Sequence, residues 1–233
     1  MRCVLALVAA LSIAVPTSAG ITIATYTGHL IGGSYDLSGV FGPSYSALAG
    51  LAYTASFRID DGLAGAPVQF QGSPATTSMI FGGIGYSPTA VPVNATITIN
   101  GITARIAGIG AGYVIQTHGP YDQTLHHVVE NGSYLTEDAT LFHPRGFLAS
   151  YDFRMPLDVD LTSFGPGGND GGGFSLYRAG ATGFQTAYGG LQADHLTVTL
   201  GAAVPELAAW SLMVAGFGLT GAALRRRPAT AAA

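Results

Sequence analysis

Four of the six histidines, His118, His126, His127 and His143, fall within 26 residues, with Asp122 and Glu130 among them. Neutral imidazole and carboxylate oxygen both suit zinc and other transition ions, so this stretch is where a metal centre would be sought first. If it is extended, His126, Val128 and Glu130 share one face and His127 takes the other. The adjacent histidines then diverge, and a site would need an irregular backbone or partners from elsewhere. A second concentration is acidic: Asp152, Asp158, Asp160 and Asp170. Asp158-Val159-Asp160 places two carboxylates on one side of an extended chain, an oxygen-rich arrangement of the sort calcium takes. The same spacing also describes a solvated strand whose Leu157, Val159 and Leu161 turn to the core. The candidate metal-binding residues are therefore Asp158, Asp160, His126 and Glu130. No motif of ligand spacing such as His-Glu-x-x-His joins them, and no cofactor is expected.

Other chemistries find less in the chain. There is no Gly-x-Ser-x-Gly elbow to expose a nucleophile. The Gly165–Gly173 run lacks both the lysine and the following helix of a phosphate-cradling loop. A carboxylate pair working as in glycoside hydrolysis must lie a few ångströms apart in a cleft, which spacing alone does not place. No catalytic residue is assigned, and the chain reads as non-enzymatic. A secreted hydrolase or metal enzyme remains as a further reading, which requires His118, His126, His127, Glu130 and His143 to converge. The eleven tyrosines offer a different chemistry, since an exposed ring with a hydroxyl can stack on a sugar. Tyr35, Tyr45, Tyr121, Tyr134 and Tyr188 fall in expected loops. Rings exposed and coplanar along one face would favour a carbohydrate-binding module, and buried rings would remove it.

The elements that must carry these residues read as strands. Ile21–Thr27 is rich in β-branched residues, and Leu51–Ile59 alternates apolar and polar side chains. Val93–Ile99 and Ile102–Ile106 alternate on either side of Asn100-Gly101, which predicts a hairpin over 93–107 with a type I′ turn. Val68–Gln71, Ser78–Tyr86, Tyr113–Thr117, Thr124–Glu130, Gly146–Arg154, Gly173–Tyr177 and His195–Leu200 complete about ten short strands. Gly32–Pro43 and Gly165–Gly173 read as loops. No fixed repeat is present, and no amphipathic helix of ten residues precedes residue 203. The expected fold is all-β, a β-sandwich or jelly-roll-like body, flanked by an N-terminal signal-peptide helix and a C-terminal transmembrane helix.

Composition agrees with an exported domain. Only 9% of the 233 residues are charged, against about 25% in ordinary domains. Between Ile21 and Glu206 five arginines face thirteen acids, a net charge of −8 that excludes binding nucleic acid through its phosphates. The only cysteine is Cys3, so the body has no disulfide and no thiol chemistry. Met1-Arg2, the apolar run Cys3–Val15 and the small residues before Gly20 form a secretory signal peptide, with cleavage expected between Ala19 and Gly20. The partners this implies are the secretion translocon and signal peptidase. At the other end, Leu207–Leu224 is eighteen uncharged residues, about 27 Å as a helix, with Trp210 near its start and Arg225-Arg226-Arg227 closing it. Such a segment spans a bilayer core and leaves the arginines cytoplasmic.

Val204-Pro205-Glu206, a short hydrophobic helix holding Trp210–Gly218, and the terminal arginine cluster together resemble the C-terminal sorting signal of PEP-CTERM proteins, in the variant with an Ala-Gly-Phe-Gly run. The resemblance covers about 25 residues, and Leu207 stands where the family motif has its second proline. It implies processing near Pro205-Glu206 by an exosortase during export. It further implies residence in the cell envelope or extracellular matrix, with an association with exopolysaccharide or biofilm. The expected organisation is a signal peptide over 1–19, an exported all-β domain over 20–202, a sorting and anchor segment over 203–228 and a short tail over 229–233.

Overall fold

The computed structural model describes residues 20–63, 68–71, 76–84, 89–106, 110–118, 121–130, 132–142, 155–164, 171–180 and 183–201. The signal-peptide, anchor and tail segments, His143, Asp152, Asp170 and the expected strand Gly146–Arg154 lie outside them.

Among the described residues the chain is nearly all strand: β1 (Ile21–Leu30), β2 (Tyr35–Asp36), β3 (Ser46–Ala47), β4 (Ala52–Asp60), β5 (Val68–Gln71), β6 (Thr76–Gly83), β7 (Val93–Ile99), β8 (Ile102–Ile106), β9 (Ala111–His118), β10 (Tyr121–Glu130), β11 (Ser133–Phe142), β12 (Leu157–Asp160), β13 (Gly171–Gly180) and β14 (Gly183–Gly201). One 3₁₀ turn follows β12 over Leu161–Phe164. All pairings are antiparallel, and one hydrogen-bonded path runs β5-β6-β9-β10-β11-β13-β14-β1-β4-β7-β8. The sheet curls, so that β7 and β8 approach β9, β10 and β11. Side chains of its two halves then meet in one core. Among the described residues no helix is long and apolar enough to cross a membrane.

Alternation builds that core. Along β4 the pattern puts Tyr53, Ala55, Phe57 and Ile59 inside, and along β7 it puts Val93, Ala95, Ile97 and Ile99 inside. Burying one Phe or Ile side chain is worth about 1.5–3 kcal/mol, so one-residue slips that invert these strands are heavily penalised. The turn between β7 and β8 holds Asn100 at φ 53° and Gly101 at φ 74°, both positive as a type I′ turn requires. The strand β14 is much longer than the expected His195–Leu200, and it organises the rest. Its first half pairs with β13 and β2, and its second half runs between β1 and β12. A bulge at Asp194, between the pairs Thr27↔His195 and Gly28↔Ala193, lies where the other neighbour of β14 changes from β13 to β12.

The glycine-rich segment Gly32–Pro43 is mostly loop, held from inside by Asp36. This carboxylate is fully buried and accepts backbone N–H groups from Ser38 (3.3 Å), Gly39 (2.8 Å), Val40 (2.9 Å) and Phe41 (2.6 Å). The loop thereby seats Phe41 edge-on against Phe174, ring centroids 5.9 Å apart. The side-chain amide of Asn100 donates to the Phe41 carbonyl and ties the β7–β8 turn to the same loop.

Candidate functional site

Two groups of side chains stand out, one inside the curl and one on its outer face. Inside, Tyr26 of β1 and Tyr53 of β4 are diagonal neighbours, because Tyr26 pairs with Ala55. Opposite them, His126 of β10 and Glu137 of β11 are direct register partners. The Tyr26 hydroxyl lies 2.9 Å from His126 Nδ1, and the Tyr53 hydroxyl donates to Glu137 Oε2 at 2.7 Å. His126 also stacks on Phe57, centroids 5.3 Å apart. Its Nε2 is buried with no hydrogen-bond partner among the described residues. The direction of the bond to Tyr26 follows the imidazole tautomer: either Nδ1–H donates to the Tyr26 oxygen or the Tyr26 hydroxyl donates to a bare Nδ1. Burial pushes His126 down to about 3. Burial first, and then the neighbouring Glu137 carboxylate, pushes Tyr53 far above the ordinary tyrosine value. These residues form hydrogen-bonded links across the core.

A pH dependence follows from His126. The unfolded imidazole takes a proton near 6.5, whereas the folded one stays neutral down to about 3. Its contribution is therefore fully present above 6.5 and is lost as the pH falls below that value. Between pH 7 and pH 5 the unfolding free energy should drop by about 2 kcal/mol from this group alone, at 1.36 kcal/mol per unit. Urea unfolding of His126→Gln should show a pH dependence weaker by that amount. An unchanged dependence would contradict the assignment.

The candidate metal residues are not brought together. His126 faces the core while His127 lies on the opposite face of β10, bonded to Thr136 at 2.6 Å and stacked on Tyr113. Asp158 and Asp160 are both exposed on β12, on one side as their spacing requires. Asp158 accepts from His195 Nε2, the partner strand's side chain. Asp160 accepts the hydroxyl and then the backbone N–H of Thr162, which hold its carboxyl below the ordinary value at the start of the 3₁₀ turn. Among the described residues no group of three or more His, Cys, Asp or Glu is placed to hold a metal.

The tyrosines differ from expectation. Tyr35, Tyr134 and Tyr188, read as loop residues, stand on β2, β11 and β14. Closely spaced glycines and short polar runs disguised these strands. Register lines them up: Tyr134 pairs with Ser175, Ser175 with Tyr188 and Tyr188 with Tyr35. Their neighbours along each strand, Leu135, Phe174, Ala187 and Asp36, are buried, so the row lies on the outer face. Tyr177, two residues beyond Ser175, is on that face too. The four tyrosines are 39 to 44% exposed. Tyr35 and Tyr188 are 6.2 Å apart and tilted by 53°, so the expected rings are exposed but this pair is not coplanar. The next row is Thr136, Gly173 and Gly190. A Cβ at Gly190 would lie 2.6 Å from the Ile31 side chain, so glycine there lets Ile31 pack over the strand. Tyr45 is 82% exposed in the loop before β3, and the side chain of Tyr121 lies outside the described residues.

The fold and this face define an antiparallel all-β domain with a tyrosine-bearing outer surface. No protein family, curated protein or solved structure matches the chain.

Proposed function

We propose that this chain is an exported cell-envelope or extracellular-matrix protein, delivered by a PEP-CTERM-like tail and acting without catalysis. The supporting observation is the bracket of segments in the sequence: a secretory leader ending at Ala19, and Val204-Pro205-Glu206, Trp210 and Arg225-Arg226-Arg227 after a disulfide-free, charge-poor β domain. In this reading the body is a β-sandwich of jelly-roll type. The leader engages the translocon and signal peptidase. The tail enters the inner membrane with its arginines cytoplasmic until an exosortase cuts near Pro205-Glu206, leaving the domain at the cell surface beside exopolysaccharide. Protein recovered from the envelope should begin at Gly20. An N-terminus still at Met1 there would contradict export by this route. Leu207→Pro completes the family's motif and should raise the processed fraction, read as the ratio of long to short forms on a gel.

A second reading, carbohydrate binding by the β domain, draws on the exposed row Tyr134, Tyr188 and Tyr35, which meets the expectation of exposure although the Tyr35 and Tyr188 rings are not coplanar. It is compatible with the first, since a matrix protein gains a place to reside from such contacts.

A further inference from the structure

We infer that the outer face of β11, β13, β14 and β2 binds an extended, uncharged polysaccharide across its strands, with Tyr134, Tyr188 and Tyr35 as the stacking rings. This rests on the carbohydrate reading above and specifies the surface and the ligand's chemistry. The row crosses three strand spacings, about 14 Å at about 4.8 Å each, so it is long enough for a short run of sugar rings. Its rings stand on separate strands of a hydrogen-bonded sheet, and their spacing is therefore set by the backbone. Ser175 lies between Tyr134 and Tyr188 as a small polar gap.

The chemistry of the face selects among occupants. Its two central rows, Tyr134-Ser175-Tyr188-Tyr35 and Thr136-Gly173-Gly190, contain no formal charge, in a body of net charge −8. Nothing there would pair with the carboxylates or sulfates of an anionic polymer, and the surrounding field would repel one. A second copy of this chain is the competing occupant, because interface cores are also enriched in aromatic residues, and self-association would reveal it. Here the large exposed side chains are four tyrosines and Ile31. Tyrosine presents an apolar ring and a hydroxyl together, which matches the C–H faces and hydroxyls of a neutral sugar.

The test is native gel electrophoresis of the full chain in a non-glycosidic detergent, with dextran, soluble xylan, a mixed-linkage β-glucan or alginate cast into the gel. At least one neutral polymer should retard the protein, and alginate should not. Tyr188→Ala and Tyr35→Ala should each weaken that retardation by about two- to tenfold, the range for one aromatic contact. Ile102→Ala, on β8 at the far end of the sheet path, should leave it unchanged, and melting curves establish that each variant is folded. Retardation by a neutral polymer that survives both tyrosine changes would overturn this assignment while sparing the carbohydrate reading. Failure of every polymer to retard the protein would overturn both. Retardation by alginate alone, or self-association that the tyrosine changes abolish, would identify a different occupant and overturn the proposal.

Discussion

Asp36→Ala is expected to destabilise the protein by about 3 kcal/mol or more. One buried carboxylate accepts four consecutive backbone N–H groups, three on Oδ1 and one on Oδ2. Hydrogen bonds to a charged group are worth about 1.5–3 kcal/mol each, and truncation leaves several donors in a space too enclosed for full hydration. The loss spreads, because the same loop seats Phe41 on Phe174 and receives the Asn100 amide. Asp36→Asn retains one acceptor oxygen without the charge, so it should cost less than alanine while remaining clearly destabilised. Urea unfolding at pH 7 reads both. A loss under about 1 kcal/mol for the alanine variant would show that the loop holds its shape without the carboxylate.

The second large effect is expected at Tyr53. Its hydroxyl is kept protonated by burial and by the Glu137 charge, and so remains a donor to the 2.7 Å bond with Oε2. Tyr53→Phe keeps the ring and removes that donor, at a cost of about 2–3 kcal/mol for a buried charged acceptor. Because the penalty comes from the carboxylate it deprives, Tyr53→Phe combined with Glu137→Leu should cost less than the two single changes added together. Additivity, or a single-variant loss below about 0.5 kcal/mol, would mean that the bond contributes little to the fold.

Those two links also show where the sequence was informative. Alternation along Leu51–Ile59 and across the Asn100-Gly101 hairpin made β4, β7 and β8 legible, because half-buried strands have a period of two. β11 escapes local pattern, since Thr136, Glu137 and Asp138 interrupt its apolar alternation, and the buried Glu137 accepts from Tyr53 of a distant strand. β2 and β3 have two residues each and carry no period at all. Alternation marks only six residues of β14, because its first half holds Gly189-Gly190, where Ser34 and Ile31 approach closely. Local pattern has no knowledge of that approach. The same ignorance placed Tyr35 and Tyr188 in loops, although they face each other across adjacent strands. The divergence of His126 and His127 was legible from alternation alone, whereas the Tyr26–His126 bond, one hundred residues apart in sequence, was not.

The reading of this chain as an exported domain with a removable tail is tested most directly by the intact mass of the envelope-bound protein, measured in cells with and without their exosortase. A mature species that begins at Gly20 and has lost Arg225-Arg226-Arg227 is expected when the enzyme is present, and one that retains them when it is absent. The arginine cluster retained in both preparations would contradict sorting and leave a permanent anchor in its place.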